Sequence, residues 1–181
     1  MTAWQRIGVG AGERRLCLAM NRWGARRALT RLLRLVSRLG DGVFWYALMA
    51  LIALLGGVRG QRAALHMAVV GVVAATLYRV LKRWTRRPRP FRSHADITAY
   101  IAPLDEFSFP SGHTLHAVGF TLVALAYFPW LAPLLVPFTL LVALSRVVLG
   151  VHYPSDVLAA TLVGVVLVQV SWVFVPTGWI G

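Results

Sequence analysis

Ser145-Arg146-Val147-Val148-Leu149-Gly150-Val151-His152-Tyr153-Pro154-Ser155-Asp156 closes one long apolar segment, Leu131 to Leu149, and opens another that runs to about Val175. A guanidinium, an imidazole and a carboxylate at the ends of membrane-length apolar runs are expensive to take out of water, so a chain that keeps them there uses them. His152 and Asp156 are four residues apart and share a face if a helix begins near Pro154, a residue suited to the first helical turn. A carboxylate beside an imidazole fixes its tautomer and raises its basicity. Taken alone, the spacing is better explained by polar caps at a helix N-terminus, so its meaning rests on the rest of the chain.

Working outward, 58% hydrophobic residues and a mean hydropathy of +0.67 exceed the apolar share of a soluble domain, which is about half. The expected fold class is all-α, an integral membrane helical bundle. Lys and Arg number 19 against six Asp and Glu, for a net charge of +13. Such a balance points to nucleic acid, anionic lipid or a phosphorylated substrate. The apolar spans make nucleic acid the poorest fit of the three. Cys17 is the single cysteine, which excludes an internal disulfide and a cysteine-based metal cage and leaves it the role of a small apolar residue. Arg6, Glu13, Arg14, Arg15, Arg22, Arg26 and Arg27 interrupt the first thirty residues, so no signal-peptide core is expected there and a later helix must direct insertion.

Five membrane segments are expected: Val43 to about Leu55, Ala63 to Leu81, Gly112 to Phe128, Leu131 to Leu149, and Ser155 to about Val175. The first is shorter than the roughly 20 residues that cross a bilayer. Ahead of it, from about Glu13 to Leu39, Arg27, Arg31, Arg34 and Arg38 form one helical stripe and Leu29, Leu32, Leu33 and Val36 another. An amphipathic helix lying on the membrane surface or packed against the bundle follows, because Arg at the bilayer centre costs roughly 2.5 kcal/mol or more per residue. Gly40-Asp41-Gly42 breaks the pattern and divides an Arg-rich segment, 1–41, from a transmembrane domain, 42–181. Gly56 to Arg62 reads as a turn, and His66 as an interfacial residue. Lys82 to Ser111 is the one long polar connection, and long loops in tight bundles are functional or disordered.

Span parity brings three pieces to one face of the membrane. Lys82 ends the second span, Pro110-Ser111-Gly112-His113 opens the third, and Ser145 to Asp156 joins the fourth to the fifth. Together they offer three cations (Lys82, Arg89, Arg146), two imidazoles (His113, His152), the Asp156 carboxylate and a helix N-terminus at Ser111-Gly112. Arg binds phosphate oxygens in a planar fork, Lys acts as a point charge, and free backbone N–H groups suit an anion. The set matches a phosphoryl group, and the histidines supply a candidate nucleophile and a candidate leaving-group acid.

Lys82-x6-Arg89-Pro90, Pro110-Ser111-Gly112-His113 and Ser145-Arg146-x5-His152-x3-Asp156 resemble, in order and spacing, the three signature motifs of the type 2 phosphatidic acid phosphatase superfamily, and the apolar spans make the chain similar to its membrane lipid phosphatases. The resemblance implies that His152 attacks phosphorus and becomes a transient phosphohistidine, with Asp156 orienting it. It implies that His113 protonates the departing lipid oxygen and then activates water. Lys82, Arg89, Ser111, the Gly112 amide and Arg146 would hold the phosphoryl oxygens and stabilise the transition state. It implies no metal and no other cofactor, and two-metal phosphatases need carboxylate clusters where only Asp156 lies within a motif.

Other polar residues carry less. His116, three residues after His113, could complete a two-histidine metal face, but no carboxylate has ligand spacing to it. Arg83, Arg86 and Arg87 are expected to be solvated or to face lipid headgroups, Asp105 and Glu106 to cap a loop, and Tyr100 and Tyr153 are possible pocket residues. A non-enzymatic lipid-binding or transport protein, and a membrane metal site built from His113, His116, His152 and Asp156, are the rival readings. Seventeen of the cations fall on the motif-bearing face and only Arg59 and Arg62 on the other, which by the positive-inside rule places the active site on the cytoplasmic face of a bacterial inner membrane. Many bacterial members of the superfamily carry six spans and an outward-facing site, so orientation is where charge and resemblance diverge. A cytoplasmic site would meet phosphatidylglycerophosphate or phosphatidic acid, and an outward one undecaprenyl diphosphate or a lipid A phosphate. The expected partners are a phosphorylated lipid substrate and membrane lipids, with no nucleic acid.

Overall fold

A bilayer offers no water to unpaired backbone amides, so apolar runs of this length satisfy their hydrogen bonds internally as helices. The computed structural model describes residues 11–176 and Trp179. Among them are α1 (Ala11–Asn21), α2 (Arg27–Arg38), α3 (Phe44–Leu55), α4 (Gly57–Thr85), the single turn α5 (Pro90–Ser93), α6 (Gly112–Tyr127), α7 (Ala132–Val148) and α8 (Pro154–Ser171). The described residues contain no strand.

Four helical runs are long and apolar enough to cross a membrane: Arg27–Leu55, Gly57–Ser93, Pro129–Val148 and Pro154–Phe174. The sequence reading expected five. The helix that falls short is α6, whose 16 residues rise about 24 Å against a hydrocarbon core of about 30 Å. It lies against α4, α7 and α8 and buries ten of its residues, so its apolar sequence serves the bundle interior. Trp45, Met67, Val70, Phe120, Val123, Leu135 and Val142 form the main core around it. Leu54, Val72, Leu140, Leu158, Leu162 and Val166 are exposed. Such an outer surface would be a liability in water and is the expected one in lipid.

In the N-terminal region the amphipathic helix packs against the bundle, along α7, but does not end at the expected break. α2 is amphipathic: it buries Thr30, Leu33, Val36 and Ser37 and exposes Arg27, Arg31, Arg34 and Arg38. Leu32, assigned to its apolar stripe, faces outward. The helix does not stop at Gly40-Asp41-Gly42, because Leu39–Val43 form a wide π turn that links α2 to α3. Gly42 sits at φ +143°, a conformation natural to glycine, and an added Cβ there would come within 2.7 Å of the Tyr46 ring. The sequence break is thus a kink inside one helical run. That run supplies the length that Val43 to Leu55 lacks. The turn expected over Gly56 to Arg62 is also shorter, since α4 already begins at Gly57 and continues past Leu81 to Thr85.

Candidate active site

Three local structures deliver the motif side chains to one end of the bundle. Lys82 stands on the last turn of α4, which Arg86 ends in a left-handed conformation. Arg89 is extended, as the residue before a proline tends to be, and Pro90 starts α5. Ser111 caps α6, its Oγ accepting from Thr114 N, and His113 follows on the first turn. Arg146 stands on the last turn of α7, and the chain then reverses at Gly150, φ +76°. A Cβ at Gly150 would meet Thr98 O at 2.3 Å, so the turn requires glycine. That reversal carries the chain to His152, and Pro154 starts α8. Asp156 Oδ2 then accepts from Tyr153 N at 2.8 Å.

Lys82, Arg89, Gly112, His113, Arg146 and His152 line one cavity of about 900 Å³, whose wall continues along α3 and α4 through Trp45, Met49, Ala68, Val72, Ala75 and Tyr78. It therefore has a cationic end and an apolar flank. Asp156 and Ser111 stand behind the wall, both fully buried. Asp156 Oδ2 is 3.5 Å from His152 Nδ1, and Asp156 Oδ1 accepts from Arg87 Nη1 at 2.6 Å. Ser111 Oγ is 3.0 Å from Thr114 Oγ1, and its backbone N–H donates to Asp156 O at 3.2 Å. His152 Nε2 lies 3.3 Å from Arg89 Nη1, on the side of the ring away from Asp156. Burial first, and then the charges of Arg89, Arg146 and Lys82, push His152 well below the usual imidazole range. Its ring is neutral at pH 7, with the unprotonated Nε2 turned toward Arg89.

Several residues take parts the sequence did not assign. Asp105 lies between two motif cations: Lys82 Nζ donates to both of its carboxylate oxygens at 2.7 Å, and Arg89 Nη2 donates to Oδ1 at 2.8 Å. Burial alone would raise the Asp105 pKa, but Lys82 and Arg89 together outweigh it and hold it below the ordinary carboxylate value. Arg87, expected to be solvated or lipid-facing, is 3% exposed and pairs with Glu13 at 2.9 Å as well as with Asp156. Glu13 Oε1 also accepts from Ser155 N at 3.0 Å, so α1 is fastened to the start of α8. Ser37 accepts from Arg146 Nη1, and Asp41 pairs with His113 Nε2. A usable signal was scarcity. The six carboxylates of a strongly basic chain each pair with a cation or a histidine.

Both ring nitrogens of His116 face backbone carbonyls, Nδ1 that of Gly112 at 2.9 Å and Nε2 that of Gly71 at 3.2 Å. Neither is directed at the other histidines of the cavity. Among the described residues, no group of three or more His, Cys, Asp or Glu side chains has a metal-binding arrangement. What the cavity assembles is a cationic cradle beside two imidazoles.

Residues 63–180 match the sequence model of the PAP2 superfamily. The chain belongs to that superfamily. Among PAP2 relatives, the undecaprenyl-diphosphatase BcrC of Bacillus subtilis is 31% identical over 123 residues, which are 67% of this chain and 63% of that protein. The match therefore spans less than two thirds of the Bacillus relative. The decaprenylphosphoryl-5-phosphoribose phosphatase of Mycolicibacterium smegmatis is 37% identical over 126 residues, 68% of this chain and 67% of that protein. A transmembrane PAP2 type phosphatidylglycerolphosphate phosphatase from Bacillus subtilis, known from a crystal structure, superposes with a TM-score of 0.70 at 25% identity, covering 92% of this chain and 87% of that one. The fold is thus the transmembrane PAP2 fold, and the chain is an integral membrane protein.

Proposed function

We propose that this chain is a metal-independent lipid phosphatase that hydrolyses a lipid phosphomonoester or diphosphate through a phosphohistidine. The convergence of Lys82, Arg89, Arg146, His113 and His152 on one cavity with an apolar flank carries the reading, and the activities for which these relatives are named, all on lipid-linked phosphates, support it. In the first step His152 Nε2 attacks the terminal phosphorus; the N–P bond forms as the bond from phosphorus to the leaving oxygen breaks, that of the lipid alcohol in a monoester or the bridging oxygen in a diphosphate, and His113 delivers its proton to that oxygen. In the second, His113 takes a proton from water as the water oxygen bonds to phosphorus and the N–P bond breaks, releasing inorganic phosphate. Asp156 holds His152 through Nδ1. Lys82, Arg89, Arg146 and the Gly112 amide, at the helix start capped by Ser111, stabilise the charge on the phosphoryl oxygens.

The substrate set is a polyprenyl-linked phosphate, phosphatidylglycerophosphate or phosphatidic acid. In this reading α6 is a fifth crossing, residues 42–181 form the phosphatase domain, and 1–41 is an Arg-rich segment applied to it. The excess of cations on the site face supports a cytoplasmic active site at a bacterial inner membrane. Reporters at the N-terminus that work on one side only test the orientation, and an external signal would reverse it. The activity is tested by phosphate release from a panel of lipid phosphates by the purified chain beside His152→Ala. Release by the parent and none by the variant is expected, with or without chelator; full activity in the variant, or an inert parent, would overturn the reading.

A further inference from the structure

His152 has a carboxylate at its back, and so does His113. Asp41 pairs with His113 Nε2, yet it lies outside both the three motifs and the residues, 63–180, that match the PAP2 superfamily. We propose that Asp41 is the positioning residue of the acid/base histidine, serving His113 as Asp156 serves His152. The inference rests on the reading of His113 as leaving-group acid.

The geometry around Asp41 is built. It occupies the π turn between α2 and α3, where Gly42 at φ +143° interrupts a helix that would otherwise run through. The turn is seated on α7: a Cβ added to Gly40 would meet Val142 at 3.0 Å, one helical turn before Arg146. Four residues ahead of Asp41, Ser37 accepts a hydrogen bond from Arg146 itself. One stretch of the N-terminal helix therefore supplies partners to two motif side chains. Asp41 also lines the cavity, and its side chain is 29% exposed against 10% for that of His113.

The chemistry requires such a partner. To protonate the lipid oxygen, His113 must first be an imidazolium, and Lys82, Arg89 and Arg146 share its cavity. A further positive charge beside these fixed cations is disfavoured unless an anion is placed against it. The Asp41 carboxylate supplies that anion, and its pairing with Nε2 leaves Nδ1 as the nitrogen from which the proton passes to the leaving oxygen. The same pair then stabilises the imidazolium formed when His113 takes its proton from water.

The test is a leaving-group comparison on the purified full chain. kcat/KM reports the step in which the leaving group departs. An alkoxide must be protonated as it leaves, whereas the phenolate of an acyl-tailed nitrophenyl phosphate leaves unaided. Asp41→Asn is expected to lower kcat/KM on the lipid phosphate about 100-fold and on the aryl phosphate less than about tenfold, an orienter's share of general acid catalysis. Inhibition by inorganic phosphate should stay within about twofold, and the Asn variant combined with His113→Ala should lose little beyond His113→Ala alone, as expected of two residues that act as a unit. Equal losses on both substrates, or no loss, would overturn the assignment. If Asp41→Asn does not accumulate, Asp41→Glu decides it: the displaced carboxylate should impair the lipid phosphate more than the aryl phosphate, and an even loss would overturn the proposal. A parent inert on every lipid phosphate contradicts the phosphatase reading, whereas an active parent with an unaffected variant contradicts only the role of Asp41.

Discussion

His152 and His66 are both nearly sealed from solvent, at 1% and 4% exposed, and they are chemically unlike. His66, toward the start of α4, has hydroxyl partners, with Ser171 Oγ at 2.8 Å and Tyr127 OH at 3.4 Å, and the Trp172 ring 4.5 Å from its own. His152 faces Arg89 on one side and Asp156 on the other, with Lys82, Arg146 and His113 around the same cavity. Burial among hydroxyls and rings makes a histidine that ties helices together. Burial among fixed cations, with a carboxylate behind, makes one that stays neutral in a positive field.

The sharpest test of that contrast is truncation at each end. His152→Ala removes the attacking atom and should lower kcat by roughly ten-thousandfold or more, with no trapped phosphoenzyme in rapid quench. Arg89→Gln removes one cation of the cradle and should cost on the order of 100- to 1,000-fold in kcat/KM, the usual loss for one donor to a developing oxyanion. A pH profile comes next in size. With His152 held well below the usual imidazole range, its protonated form gains ground only under strongly acid conditions. Between pH 7 and 6 its protonation should therefore lower kcat/KM, corrected for substrate ionisation, by less than about twofold, where an imidazole of ordinary pKa near 6.5 would lose about threefold. A His152 limb at pH 6.5 or above would contradict the electrostatic account. His66→Gln should be the mildest, changing kcat/KM less than about twofold while lowering thermal stability by about 1–3 kcal/mol through its orphaned hydroxyl partners. A large loss of activity there would erase the contrast between the two ends.

Helices, the cationic cradle and the two imidazoles of the cavity were legible because they depend on local pattern. Apolar runs set the spans, and three short motifs each occupy one helix end, so their spacing survives in the sequence. The support around them was not legible. Glu13 meets Arg87 across 74 residues, and Asp41 meets His113 across three intervening helices, α3, α4 and α5, and no periodicity encodes such pairings. Gly40-Asp41-Gly42 was visible only as an interruption, because a φ of +143° marks a kink and says nothing of what the kink presents. The enclosed position of α6 was not legible for a related reason: a helix enclosed by neighbours and a helix facing lipid are equally apolar. Asp105 sat in plain view three residues before Ser108, but its bond to Lys82 exists only once the long loop has folded back.

That bond has a consequence for how the cavity meets its ligand. Lys82 and Arg89 are 6% and 1% exposed, and two such cations without a counter-ion would be costly to bury. The Asp105 carboxylate is that counter-ion, so the protein folds around an anion it carries itself. A phosphoryl group taking the same donors must first turn the carboxylate out. On the proposed reading, affinity at this site is a difference between two anions competing for one pair of cations: a doubly charged phosphate would gain its advantage over a single carboxylate from charge, and a lipid tail would lie along the apolar flank.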